Sequence, residues 1–201
     1  MKESWTELSK LNGPQGRDDC QFGWHRWVGE HFHGCAILDV GSGLGLARER
    51  LAAGGNEVVL QDPAPGTPVD IHDDIGDLAG RFFDVVTAFD VIEHVLDDGL
   101  FLWNLCRIAR RSVVITTPNY NVSKAANPFH VREYSPPEFL DLIGGHSIKT
   151  LVAGNSNPRH PPQPGDFLVT VQVTLVQSHK SQPRTDPSPG SVPSAVRALP
   201  A

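Results

Sequence analysis

The chain has 201 residues, 39% apolar and 20% charged, with a formal net charge of −6. This length supports one globular domain with a sizeable core. The acidic balance weighs against a broad electrostatic footprint for nucleic acid. The densest basic cluster, Arg107, Arg110 and Arg111, reads as the cationic end of a helix, where the helix dipole favours positive charge. Cys20, Cys35 and Cys106 are scattered without C-x-x-C spacing, which argues against a zinc knuckle or disulfide framework. No apolar run reaches membrane-spanning length and residues 1–10 lack a signal-peptide core, so a soluble cytoplasmic protein is expected.

In chain order, residues 1–19 look irregular. Trp24, Trp27, Val28 and Phe32 recur at helical spacing and predict a helix that packs on a sheet edge or covers a cofactor mouth. Residues 36–40 form a short apolar strand running into Gly41-Ser42-Gly43-Leu44-Gly45. A helix over 44–53 follows, stopped by Gly54-Gly55. Further strands are expected at 57–62, 69–72, 83–89 and 112–117, with helices at 97–110 and 136–143. The last helix has Ser135 as N-cap, Pro136 at its first position and Glu138 three residues on. This alternation predicts a parallel sheet flanked by helices. A strand over 146–153, a Pro-rich loop, and alternation over 167–177 complete the domain, which spans 20–177. Residues 178–201, rich in Ser and Pro, are expected to be disordered.

The glycine turn after the first strand lets the backbone approach a ligand closely. Asp62, ending the next strand, stands where a carboxylate meets a ribose hydroxyl pair. The dinucleotide pattern G-x-G-x-x-G/A fails, because its third small position holds Leu46 or Arg48, depending on register. The run Asp39-Val40-Gly41-Ser42-Gly43-Leu44-Gly45 instead resembles the first motif of class I S-adenosylmethionine (SAM)-dependent methyltransferases. That resemblance implies a Rossmann-like α/β fold. Its sheet has seven mostly parallel strands in the order 3-2-1-4-5-7-6, a terminal antiparallel strand, and helices on both faces. It implies SAM as cofactor and S-adenosylhomocysteine (SAH) as product. Asp39, Gly41, Ser42, Gly43 and Gly45 match the glycine motif and Asp62 the ribose-binding acid. Asp74, with Asp73 as the alternative, and the backbone of Ile75 match the adenine site. One departure is visible: only residues 63–68 separate the second and third strands, too few for a crossover helix.

Residues 83–95, FDVVTAFDVIEHV, resemble the F-D-x-V…E-V-I-E-H-V stretch of many O- and C-methyltransferases, including those of ubiquinone biosynthesis, with Asp90 in place of the first Glu. This implies that Phe89 and Asp90 border the methionine part of the cofactor. Thr117-Pro118-Asn119 and the later Asn127-Pro128-Phe129-His130-Val131-Arg132-Glu133-Tyr134 resemble a third methyltransferase signature. The loop between them is expected over the active site. His94 and His130 are the candidate general bases, with Glu93 beside them. The plainer reading of His130 and Glu133 is that they pin the loop by hydrogen bonds. Asp90, Glu93, His94 and His130 also resemble the acids and histidines of small-RNA 3′-terminal 2′-O-methyltransferases, which bind a divalent metal. Spacing i, i+3, i+4 puts the first three on one helical face, so a metal site is left open. O-methylation of a small-molecule or sugar-like acceptor is the first expectation. Metal-assisted methylation of an RNA end and a catalytically silent SAM-binding module are the alternatives. Oligomeric state is not legible. His31 and His33 read as surface or capping residues, and His72, His146, His160 and His179 carry no signal.

Overall fold

A computed structural model describes residues 21–78, 80, 82–125, 127–144, 148–153 and 167–172. The expected irregular N-terminus, the Pro-rich loop, the end of the 167–177 alternation and the Ser/Pro-rich tail lie outside the described residues, as do Cys20, His146, His160 and His179. Among the described residues, a sheet of six strands has the order β2-β1-β3-β4-β6-β5. Strands β1 (Ala36–Val40), β2 (Glu57–Gln61), β3 (Phe83–Phe89) and β4 (Ala109–Thr117) are parallel. β6 (Phe167–Gln172) pairs antiparallel with β4 and with β5 (Ile148–Ala153). No helix among the described residues is long and apolar enough to cross a membrane.

Strand parity sorts the core into two layers. Leu38, Val40, Val86, Ala88, Val113 and Ile115 face one side, packed by α3 (Asp98–Ile108) and α5 (Pro136–Ile143) through Phe101, Leu105 and Phe139. Ile37, Val85, Phe89 and Val114 face the other, packed by α1 (Gln21–His31) and α2 (Arg48–Leu51) through Phe22, Trp24, Val28 and Leu51. The central strands are therefore apolar on both faces, as buried parallel strands require. α5 starts on the expected capping box: Ser135 bonds the N3 backbone while its N–H donates to the Glu138 carboxylate at 2.8 Å.

Two expected elements shrink. The helix over 44–53 is reduced to Arg48–Leu51 and a 3₁₀ turn at Ala52–Gly54. Gly41, Gly43 and Gly45 all take positive φ, so the chain cannot enter a right-handed helix until the turn is complete. The strand over 69–72 is reduced to a single parallel bridge, Gln61 to Ile71. Pro63, Pro65 and Pro68 have no N–H for a ladder. Asp70 then takes over: its carboxylate accepts from Leu60 N at 2.8 Å and from Arg48 at 2.6 Å. Burial works to raise the Asp70 pKa, and these hydrogen bonds outweigh it and lower it. A seventh strand is thus absent among the described residues, and a polar strap covers the β2 edge instead.

The segment after β4 is also tied down. Glu133 accepts from Ser123 Oγ and from Ala125 N, and its other oxygen meets His130 Nδ1 at 2.5 Å. Buried Tyr134 donates its O–H to Asp98 at 2.9 Å, which Arg132 also reaches at 3.1 Å. The loop is thereby anchored to the start of α3.

α1 approaches α2 closely because residue 29 has no side chain. A Cβ there would lie 2.0 Å from the Arg50 carbonyl oxygen. Arg50 in turn stacks its guanidinium 4.0 Å over the Phe22 ring. Gly29→Ala forces the two helices apart, and thermal or denaturant unfolding should record a loss of about 1–3 kcal/mol, the range for overpacking. An unchanged stability would show that α1 can shift without cost.

Candidate active site

The carboxyl ends of β1, β2 and β3 and the segments that follow them frame a cleft of about 330 Å³. In an open α/β sheet this edge is where ligands bind. The cleft lies on the α3 side, walled by Val40, Gln61, Asp74, Ile75, Phe101 and Asn104, with Gly41, Asp62, Val91 and His94 at its rim and floor.

Hydrogen bonds hold the glycine turn against β2. Ser42 N donates to Gln61 O at 3.0 Å, Gly45 N to Ser42 O at 3.0 Å, and Gly43 N to the Asp62 carboxylate at 2.8 Å. The second Asp62 oxygen accepts from Ala64 N at 2.8 Å. A carboxylate offers roughly four acceptor positions, so each Asp62 oxygen keeps one for a ligand hydroxyl. The turn tolerates only glycine: a Cβ on Gly41 would sit 2.6 Å from Val91, and one on Gly45 3.0 Å from the Pro68 carbonyl oxygen. Asp74 caps the 3₁₀ turn Ile75–Asp77 through Gly76 N at 2.9 Å while lining the cleft. Asp73 is exposed, and its carbonyl accepts from Gln61 Nε2 at 2.7 Å. Of the two acids, Asp74 is the one in the cleft wall.

A nucleoside-bearing cofactor fits these residues. Gln61 Oε1 is buried at the wall with no hydrogen-bond partner, an acceptor whose satisfaction calls for a donor from elsewhere. Asp62 and Asp74 add acceptors beside apolar Ile75 and Phe101, the mixture that a sugar and a flat base require.

Several expected site residues lie elsewhere. Asp39 does not face the cleft. By strand parity it points into the α1 layer, where its carboxylate accepts from Thr87 Oγ1 at 2.7 Å and lies 3.6 Å from His25 Nε2. Phe89 is on the same side, edge-on to His25 at 4.5 Å. Ser42 lines that smaller space with them. Asp90 has left the group expected on one helical face. The chain turns there with φ 54°, no helix includes it, and its carboxylate accepts from Thr116 Oγ1 at 2.8 Å. The following Ile92–His94 is a single 3₁₀ turn.

Glu93, His94 and His130 do come together. One ligand atom from each lies within 4.8 Å of the others. Glu93 is fully buried, with Oε2 accepting from Thr117 Oγ1 at 3.2 Å. Its carbonyl accepts from Val131 N and Arg132 N, which brings the downstream loop over it. His94 Nδ1 meets the Phe129 carbonyl oxygen at 3.1 Å. A carbonyl only accepts, so Nδ1 carries the proton and Nε2 the lone pair. Burial lowers the His94 pKa, with His130 adding to the effect against the Phe129 hydrogen bond and Asp90. The neutral imidazole is thus the favoured form, at the edge of the cleft.

His130 is engaged at both ring nitrogens. Nδ1 donates to Glu133, whose pKa burial tends to raise and the Ser123, His130 and Ala125 hydrogen bonds lower. Nε2 lies 2.9 Å from Asn127 Nδ2. The Asn127 orientation follows from its Oδ1, which accepts from Phe129 N at 3.0 Å. His130 thus pins the loop, and it does not line the cleft.

Gln61, Asn104 and His25 were not singled out from the sequence. Gln61 and Asn104 each carried a signal, a polar side chain within an otherwise apolar strand or helix face. His25 carried none, because only the docking of α1 brings it to Asp39.

No protein-family model matches the chain. It is 40% identical to a ubiquinone biosynthesis O-methyltransferase of Azorhizobium caulinodans over an alignment of 102 residues, covering 43% of this chain and 38% of that protein. It is 34% identical to one from a Methylobacterium species over 97 residues, covering 40% and 39%. The chain thus spans about two-fifths of these relatives. Among solved structures, it superposes on the SAH-bound magnesium protoporphyrin IX methyltransferase of Synechocystis with TM-score 0.57 and 17% identity, covering 83% of this chain and 92% of that one. It also superposes on a 1,6-didemethyltoxoflavin-N1-methyltransferase of Burkholderia thailandensis, with TM-score 0.65, 18% identity and coverage of 86% and 87%. The chain therefore has the class I, Rossmann-like methyltransferase fold and shares sequence with bacterial ubiquinone biosynthesis O-methyltransferases over part of its length.

Proposed function

We propose that the protein is a SAM-dependent methyltransferase that acts on a hydroxyl of a small-molecule acceptor. The observation that carries this reading is the Gly43–Asp62 hydrogen bond at the wall of an apolar cleft that also contains His94. It couples a glycine-only turn to a ribose-binding acid, and it sets both beside a group able to take a proton. SAM supplies an electrophilic methyl group on its sulfonium. In this reading Asp62 receives the ribose hydroxyls, Asp74 and Ile75 the base, and Gly41 the chain leading to sulfur. Val91, Val95 and Leu100 line the same cleft and would exclude water from an acceptor held there. His94 Nε2 takes the hydroxyl proton, with Nδ1 held to Phe129 so that the lone pair keeps its direction. His130, Glu93 and Glu133 hold that arrangement. The acceptor class rests on the relatives' designation as O-methyltransferases, and the chain's acidity weighs against RNA.

A second reading is favoured by a specific observation. Both histidines tie Nδ1 to an acceptor, Phe129 O or Glu133, and each has one ring nitrogen within 4.8 Å of a Glu93 carboxylate oxygen. Histidines that ligate metals have this outer-shell support. Glu93, His94 and His130 would then hold Mg or Mn, which suits oxygen and nitrogen donors, lowers the pKa of an acceptor hydroxyl and orients it. His130 must first release Asn127.

Two experiments test these readings. Calorimetry should show SAH binding and no NAD binding, and Asp62→Ala should weaken SAH by about 1–3 kcal/mol, since it removes an acceptor in the buried site. An unchanged affinity removes Asp62 from the site. With a panel of hydroxylated acceptors, His94→Gln should lower kcat by roughly 10²–10⁴-fold at unaltered SAH affinity. His130→Gln should act mainly on thermal stability. Activity that disappears in chelator and returns with added Mg or Mn would establish the metal reading over the simple base.

A further inference from the structure

Among the described residues β2 ends the sheet. β1 pairs with one side of it, and a single bridge at Ile71 lies on the other. Its backbone groups alternate in direction along the strand. Glu57 N and Gln61 O bond toward the β1 side, to Cys35 O and Ser42 N. The N–H and C=O of Val58 and Leu60, and the N–H of Asp62, therefore point outward. Such an outward row is a template for pairing with another chain, and charged residues or prolines within a strand are the usual way to blunt it. Val58-Val59-Leu60 contains neither.

Here side chains and the segment after β2 fill the row. Val58 O accepts from Arg48 Nη1 at 2.6 Å, and Leu60 N donates to Asp70 Oδ2 at 2.8 Å. The same Asp70 oxygen accepts from Arg48 Nη2 at 2.6 Å, which ties the two side chains together. Leu60 O accepts from Asp70 N and Ile71 N, and Asp62 N donates to Ile71 O. Of the outward groups, only the Val58 N–H has no partner among the described residues. The plain reading of Arg48 and Asp70 is a surface ion pair, since they are 42% and 44% exposed. An exposed pair adds little stability by itself. That reading also leaves out that each partner holds a backbone group of β2, one on either side of Val59.

We propose that Arg48 and Asp70 shut the β2 edge against a second copy of this chain. The edge they cover is self-complementary. Two copies related by a two-fold axis pair antiparallel around Val58, each Val58 N–H donating to the other's C=O. Arg48 on Val58 O blocks that exchange. The pair thus stands in for the strand that the short 63–68 link does not supply. This inference concerns assembly and is independent of the methyltransferase reading.

Sedimentation velocity of the full chain over a range of concentrations tests it. The double variant Arg48→Ala/Asp70→Ala should gain a concentration-dependent species of twice the wild-type mass, with the far-UV circular dichroism of the wild type. Adding Val58→Pro should remove that species. Proline has no N–H for the exchange, and an edge strand tolerates it where that N–H faces outward. Asp70→Asn keeps the shape of the side chain and removes the charge that holds Arg48. It should give the same species, and it carries the test if the double variant unfolds. A folded variant that sediments as the wild type does would overturn the proposal. Association that survives Val58→Pro would overturn it too, since the contact would then lie elsewhere.

Discussion

The hydrogen bond from Gly43 N to the Asp62 carboxylate joins the loops that leave the two neighbouring strands β1 and β2. Each loop alone is a short run of glycines or prolines with little to hold its shape. Tied together, they form an edge that puts Gly41 and Asp62 in the lining of one cleft. Gly43 takes a positive φ, which glycine adopts without steric cost, and its N–H meets the Asp62 carboxylate at 2.8 Å. Several cleft residues stand beside that edge: Gln61 and Asp74 in the wall, Val91 against Gly41, and His94 three residues beyond Val91.

The sheet divides the chemistry between its faces. Parity sends Val40 and Gln61 toward α3 and Asp39, Thr87 and Phe89 toward α1. A single apolar strand thus presents an acid on one face and a cleft wall on the other. Among the described residues, Val40 and Gly41 line the spaces on both faces. This makes α1 part of the site's architecture, because it closes the face that Asp39 looks into.

The loop after β4 shows how a buried polar network sets a residue's role. His130 and His94 stack edge to face at 4.7 Å and look equivalent in sequence. Their partners differ. His130 is held between Glu133 and Asn127, while His94 has a backbone carbonyl on Nδ1 and stands at the cleft. A fully satisfied network rigidifies the segment that carries it. A lone pair beside a cavity is suited to taking a proton. Burial would help His94 in the role proposed for it, because it favours the neutral ring.

Local patterns in the sequence determined β1, β3 and α5 to the residue, since apolar parity, a capping box and an N-terminal proline act within a few positions. They also located the glycine turn, Asp62, Asp74 and the Glu93-His94 pair, whose spacing ties them to strand ends. Tertiary structure decided what spacing cannot. Asp90 follows β3 by one residue and was expected with Glu93 and His94, yet its hydrogen bond to Thr116 on the adjacent strand turns it away. A strand is expected over 69–72, but the Asp70 side chain takes the Leu60 N–H and a single bridge at Ile71 is left. Asp39 belongs to the glycine motif by sequence and to the α1 layer by pleat. His25, 14 residues earlier, becomes its neighbour only when Gly29 lets the helix close. Local sequence sets the direction a side chain takes within its own element, whereas the partner it meets depends on which other element packs there.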